Sequence, residues 1–196
     1  MAPLCVLAFF AAFFALFGIY PFGGYSFSWC DMDQQVIPFM AQLKDILNGQ
    51  GSFFLSMENA GGMNFWGVFL FFLASPFSFL VIFVQKQDLS LFMNVLVVLK
   101  LAACALCANV YFRYKTPRLF PPLQLILSVM YAFCGYGLLY YQNVMWLDIM
   151  YLFPLLLMAL DLLLQKGRPA LYIVVLTLCV LLQFYLSYMV VLCVLL

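Results

Sequence analysis

Charge is what this sequence has least of. Its 196 residues hold eight Lys or Arg, seven Asp or Glu and no histidine, so charged types make up 8% and apolar types 68%. A soluble domain carries roughly 25% charged residues, and so few charges cannot cover the surface of a water-soluble monomer. The same composition excludes disorder, which needs low hydrophobicity. A net charge of +1 gives no basic field, which argues against a nucleic-acid partner. The lack of histidine removes His-based acid–base catalysis, Ser–His and Cys–His nucleophile pairs, and most catalytic zinc sites. What remains is a polytopic, all-α membrane protein.

The apolar runs are long enough for that. A hydrocarbon core of about 30 Å takes roughly 20 residues of helix, and residues 1–30, 59–85, 119–147 and 169–196 carry no charge. These runs are continuous and do not alternate, which favours helices over a barrel. The pattern predicts segments near 2–20, 65–84, 89–112, 120–140, 149–165 and 170–196: five or six membrane segments in a single transmembrane domain spanning 1–196. The first run has no basic start and a long apolar stretch, so it reads as a transmembrane helix and not as a signal peptide. The last run stops at Leu196 with no polar tail, and the chain is expected to be the N-terminal part of a longer module. Six of the seven cysteines fall in predicted spans, where a thiol is a small apolar filler. Cys104 and Cys107 have CxxC spacing without a redox context.

Polar stretches set the topology. Arg113–Arg118 and Gln165–Arg168 are separated by two spans, so they share one side, and the positive-inside rule makes that side cytoplasmic. The loop 21–64 then depends on segment 65–84. If that segment crosses fully, the loop is cytoplasmic; if it is re-entrant, the loop is extracytoplasmic. Ala74-Ser75-Pro76 favours the re-entrant form, because Pro76 cannot donate to a helix ladder and pushes the preceding residue out of helical conformation. Within the loop, Val36, Met40, Leu43 and Leu47 recur at helical spacing. They predict an amphipathic helix over Gln34–Asn48 lying on the membrane surface, with Lys44 and Asp45 towards water and a stop at Asn48-Gly49. Asn59–Asn64 reads as a flexible turn.

Few residues can carry chemistry. Asp31 and Asp33 are two carboxylates two residues apart, able to ligate a divalent cation through oxygen or to deprotonate a hydroxyl; alternatively, Asp33 caps the following helix. Lys100 is the one charge deep in a span. Insertion costs it on the order of 2.5–3.5 kcal/mol, so it needs a partner, either a lipid phosphate or a carboxylate on another helix. Trp146 suits a membrane interface, and Asp148 suits either a helix N-cap or a site. Asp161 is expected to pair locally with Lys166. Tyr185 and Tyr188 place hydroxyls in an apolar run, where each needs a partner or a polar cavity.

Several stretches, taken in order, resemble the bacterial YfhO family of multi-pass membrane proteins. They are Tyr20-Pro-Phe-Gly-Gly24, Asp31-Met-Asp-Gln-Gln-Val-Ile-Pro-Phe39, Gly61-Gly-Met-Asn-Phe-Trp-Gly67 and Leu73-Ala-Ser-Pro-Phe77. Tyr131-Ala-Phe-Cys-Gly-Tyr136, Met145-Trp-Leu-Asp148, Pro154-Leu155 and Gln183-Phe-Tyr-Leu-Ser-Tyr-Met189 complete the set. The family resembles GT-C glycosyltransferases, which take a sugar from a polyprenyl-phosphate carrier at the outer membrane face. Its Gram-positive members are linked to glycosylation of envelope polymers such as lipoteichoic acid.

The resemblance implies a bacterial membrane enzyme with Asp31 as catalytic carboxylate, placing loop 21–64 outside and Asp148 on the same side. It implies substrate contacts from Gln34, Gln35, Lys100, Trp146 and Tyr185, with Lys100 meeting the donor phosphate. The residues themselves, and not the resemblance, make Asp31 and Asp33 the candidate ligands of a divalent cation. The expected partners are the polyprenyl-phosphate sugar donor, an envelope polymer or lipid acceptor, and membrane lipid. This sequence has Asp33 where the family usually shows an aromatic residue, and Gln183-Phe184 where it tends to have Asn-Tyr. A lipid or solute transporter using Lys100 and the Pro76 break, or a non-catalytic scaffold, stands as the alternative.

Overall fold

The structure is a computed structural model and describes residues 1–195. The long helices are α1 (Ala2–Phe17), α4 (Leu89–Lys115), α5 (Pro121–Ala132), α7 (Trp146–Lys166), α8 (Ala170–Leu182) and α9 (Phe184–Leu195). Three shorter ones sit between them: α2 (Ile37–Leu47), α3 (Phe65–Val68) and α6 (Gly135–Leu139). Three stretches are long and apolar enough to cross a membrane: Lys86–Lys115, Pro121–Leu139 and Trp146–Lys166. The bent pair Phe65–Leu73 and Pro76–Phe83 makes a fourth if it counts as one span. The result is an all-α helical membrane bundle.

Helix α4 is central and packs against α1, α5 and α7. Side-chain contacts fix the directions. Asn109 donates to Ser128 Oγ at 3.2 Å and Gln124 to the Thr116 carbonyl at 2.7 Å, so α5 returns antiparallel to α4. Lys100 pairs with Asp148 and Lys115 with Asp161, so α7 runs parallel to α4. Those pairings gather Arg113–Arg118 and Lys166–Arg168 at one end, as expected. Asp161 takes Lys115 from the neighbouring helix, not Lys166: parallel packing carries the α4 terminus to it, 46 residues away in sequence.

Local sequence explains most helix ends. Pro3 fits the first turn of α1, where an N–H has no partner to lose, and Gly18 at φ 65° closes it in the left-handed region. Ala2, Val6, Phe10 and Phe14, four apart, form its buried face. In α7, Pro154 cannot donate to the Met150 carbonyl, and the Tyr131 hydroxyl supplies that bond at 2.7 Å. Between α5 and α6 the chain comes so close that a Cβ on Gly137 would lie 2.7 Å from the Ala132 carbonyl oxygen. The expected single span 170–196 is two helices instead, broken at Gln183. The buried Gln183 amide donates to the Phe71 carbonyl at 3.4 Å, while its backbone carbonyl accepts from Ser187 Oγ at 2.8 Å. A buried amide must find such partners.

Segment 65–83 bends by 106° between Leu73 and Pro76. Ser75 is extended, at φ −59° and ψ 136°, as a residue before proline should be. Both arms return to α2. Phe65 shares a cavity wall with Asp45 and Ile46, while Lys44 Nζ donates to the Val81 and Ile82 carbonyls at 3.4 and 3.1 Å. The segment is therefore a bent hairpin, both of whose arms end on α2. Its broken backbone is tolerated because its apex is buried in protein. Loop 18–64 consequently lies at the end of the bundle opposite the basic turns.

Helix α2 is preceded by a π turn, Met32–Val36, so helical structure begins two residues earlier than expected. Of the predicted face, Val36, Met40 and Leu43 are fully buried and Leu47 partly so; Met32 in the π turn extends it, and Asn48 and Gly49 (φ 77°) end it. That face packs onto the hairpin and α4. Lys44 and Asp45 were expected to face water. They turn to the hairpin's end instead, Lys44 to its carbonyls and Asp45 to Lys86 at 2.6 Å, because a last helical turn has carbonyl lone pairs to spare, that of Val81 taking Lys44 beside the Val84 N–H. Asn59–Asn64 is a defined turn. Ser56 and Met63 exchange two backbone bonds at 2.8 and 3.0 Å, and the Gln42 and Asn59 amides pair with each other.

Candidate functional site

Asp31 is half-buried and stands at the head of the helical run that continues into α2. Cys30 before it has φ 53°, uncommon for a residue with a Cβ, and its carbonyl accepts the Asp33 and Gln34 N–H groups at 3.1 and 3.0 Å. The strand of chain leading to Asp31 is clamped to α4. The fully buried Asn94 accepts from Ser26 Oγ at 2.9 Å and from the Phe27 N–H at 3.3 Å, and donates to the Tyr25 carbonyl at 3.3 Å. Ser26 and Ser28 also bond Ser90. The Tyr141 hydroxyl donates to the Phe27 carbonyl at 3.0 Å. Burial pushes that phenol above its ordinary range, so it stays protonated and donating. Asp31 is thus held from both sides, by the clamp before it and by α2 after it.

Asp33, Gln34 and Gln35 are exposed on the same turn. Residues two apart on a helix do not face each other, and Met32 between the two carboxylates is fully buried. Among the described residues, no group of three or more Cys, Asp or Glu is arranged to hold a metal ion. Asp31 and Asp33 thus have no third acidic ligand beside them among the described residues.

Lys100 and Asp148 meet in the interior. Lys100 Nζ donates to Asp148 Oδ2 at 2.7 Å and to the Val144 carbonyl at 2.9 Å, and Ser75 Oγ donates to Asp148 Oδ1 at 2.7 Å. All three side chains are at most 1% exposed. Asp148 is not the cap of α7: Met145 holds that place, and the carboxylate lies in the first turn, turned towards Lys100 of α4. Of the two partners weighed for Lys100, the structure supplies the carboxylate.

Trp146 is half-buried, stacks near Tyr136 and Tyr140, and has an indole N–H that is buried without a partner. It lines an apolar cavity of about 380 Å³ between α5, α7 and α9, together with Tyr131, Met150, Leu186 and Met189. Tyr185, next to Leu186, is half-exposed. Cys104 and Cys107 are free thiols inside the bundle.

The structure therefore brings Lys100 and Asp148 together, keeps Asp31 with Gln34 and Gln35 at the loop end, and sets Trp146 beside a separate apolar groove. Sequence reasoning passed over Asn94, and named Ser75 and Gln183 only within motifs, without the polar contacts they make. Each is an uncharged polar side chain in an apolar run, a place where such groups must find an internal partner. That is the signal that could have found them.

These features define a helical membrane protein with a bent hairpin, a clamped loop carrying the half-buried Asp31, and a buried ion pair. The chain belongs to the YfhO family: the family model described as bacterial membrane protein YfhO matches residues 3–196. No curated protein and no solved structure matches it.

Proposed function

We propose that the protein lies in the bacterial cell membrane as a multi-pass protein and transfers a sugar from a polyprenyl-phosphate donor to a hydroxyl of an envelope acceptor such as lipoteichoic acid. The observation that carries this reading is Asp31, a half-buried carboxylate at the head of a helix and anchored on both sides. Family membership supports it, since the family resembles GT-C glycosyltransferases with an acidic residue in the first outer loop. The positive-inside rule makes the Arg113–Arg118 end cytoplasmic, and Asp31 then faces outside.

In this reading Asp31 accepts the acceptor hydroxyl proton as that oxygen bonds to the anomeric carbon. The bond from the carbon to the donor phosphate breaks, and polyprenyl phosphate leaves with the electron pair. Gln34 and Gln35, exposed on the same turn, offer amide donors and acceptors to sugar hydroxyls. The apolar groove lined by Trp146 suits the polyprenyl tail, and Tyr185 is exposed on α9, one residue before the lining Leu186.

The test is sugar transfer from labelled donor in membranes holding the full-length protein, wild type against Asp31→Asn at matched expression. General-base catalysis is worth about 10²–10⁴-fold, so a loss of at least two orders is expected. Equal activity would remove Asp31 from the mechanism. Absence of transfer with every donor sugar tried would move the reading to a lipid or solute transporter or a scaffold. Sidedness is checked at Cys30, an exposed thiol beside Asp31: a membrane-impermeant thiol reagent should label it in intact cells, and labelling only after permeabilisation would refute the outer-face assignment.

A further inference from the structure

A serine, an aspartate and a lysine from three separate elements meet in the interior of the bundle. Both Asp148 oxygens are used, one by Lys100 and one by Ser75, and Lys100 makes a second bond to the Val144 carbonyl. Lys100 lies 11 residues into α4 from Leu89, about 16 Å along the helix axis. At such depth an ammonium and a carboxylate are held as a pair or not at all. With Lys100 bonded to Asp148 and Val144 and both groups at most 1% exposed, neither is open to a donor or an acceptor.

What the cluster holds is the hairpin. Ser75 is its apex, extended by Pro76, and its hydroxyl bond to Asp148 joins that apex to α7, while Lys100 joins α7 to α4. The hairpin carries α2 in turn. Phe72 packs against Phe39 with ring centres 5.0 Å apart and planes tilted by 50°, Lys44 bonds the carbonyls of Val81 and Ile82, and Asp45 pairs with Lys86 just past the hairpin. The helical run that includes α2 starts at Asp31. A continuous set of contacts therefore runs from the interior ion pair to the loop carboxylate, complementing the Asn94 clamp on the other side.

We infer that Ser75, Asp148 and Lys100 form an intramembrane lock whose role is to position the Asp31 loop through the hairpin and α2. They are positioning residues, and their consequence for rate rests on the transferase reading above. The lock itself is tested without activity. In full-length protein in nanodiscs, Cys5, Cys104, Cys107, Cys134, Cys179 and Cys193 are replaced by alanine, along with any cysteine outside these residues. Spin labels are then placed on Cys30 and on Arg118→Cys, at opposite ends of the bundle. Pulsed electron resonance should give one narrow distance. Ser75→Ala removes a single oxygen and leaves the ion pair, so the bundle folds, yet the distance distribution should broaden or shift. Ser75→Thr, which keeps the hydroxyl, should restore it. An unchanged narrow distribution in Ser75→Ala overturns the lock, and so does failure of Ser75→Thr to differ from Ser75→Ala.

In the transfer assay Ser75→Ala should lower kcat by roughly 10- to 100-fold, the loss expected when a reacting group is misplaced by about 1 Å, with KM unchanged. An unchanged kcat in a protein that transfers sugar overturns the positioning role. If no variant transfers sugar while the distance still responds to Ser75, the lock stands and the transferase reading alone fails.

Discussion

Replacing Asn94 by leucine tests the way the Asp31 loop is anchored. Asn94 makes three hydrogen bonds to the segment Tyr25–Phe27, at 2.9, 3.3 and 3.3 Å, from a fully buried position. Leucine has a similar shape and makes none of them. Ser26 keeps its bonds to Ser90 and Ser28, so its loss is small. The Tyr25 carbonyl keeps the Tyr20 N–H at 2.9 Å, so the Phe27 N–H is the group left without a partner, at a cost of about 1–3 kcal/mol. It falls on the local opening of the loop, because α4, α5 and α7 keep their packing. That energy is roughly a 5- to 140-fold change in the opening equilibrium. Hydrogen exchange by mass spectrometry in nanodiscs reads it directly: amides over 25–36 should exchange faster by about that factor, while those of α7 stay unchanged. Loop exchange within threefold of wild type would refute the clamp. Equal acceleration throughout the bundle would show that Asn94 supports the core and not the loop.

Two further perturbations probe the interior. Lys100→Met or Asp148→Leu alone leaves a buried charge without its partner and should cost about 3–5 kcal/mol; the double variant should recover most of it, read as thermal stability by fluorescence-detected size exclusion. A double variant as unstable as the worse single would show that the pair contributes more than mutual compensation. Gly137→Val puts a Cβ 2.7 Å from the Ala132 carbonyl oxygen and 3.1 Å from Met150, and the overpacking should cost about 1–3 kcal/mol in the same assay. Wild-type stability in that variant would mean that the α5–α6 junction yields freely.

Much of the fold was legible because its causes are local. The stripe Val36, Met40, Leu43 marks a helix face wherever that helix goes. Gly18 and Gly49 end helices through their own φ angles. Pro76 bends its own neighbour, so the hairpin was expected from three residues. The basic turns at 113–118 and 165–168 carry the charge bias in the sequence itself. Asp31 stood out as a loop carboxylate for the same reason.

Partners of buried polar groups are another matter. Lys100 announces a need, since an ammonium in a span must be paired, but Asp148 lies 48 residues on and Ser75 lies 73 residues before Asp148. Gln183 breaks the last apolar run over a carbonyl 112 residues away, and Asp161 chose Lys115 over the nearer Lys166. Helix periodicity, turn chemistry and apolar composition are properties of a few adjacent residues, so the sequence alone determined an all-α membrane bundle, its breaks at Gly and Pro, and the loop that carries Asp31. Which side chains meet depends on which helices pack and in what direction. Only the tertiary structure could therefore join Ser75, Lys100 and Asp148 in one buried cluster and hang the hairpin, α2 and Asp31 from it.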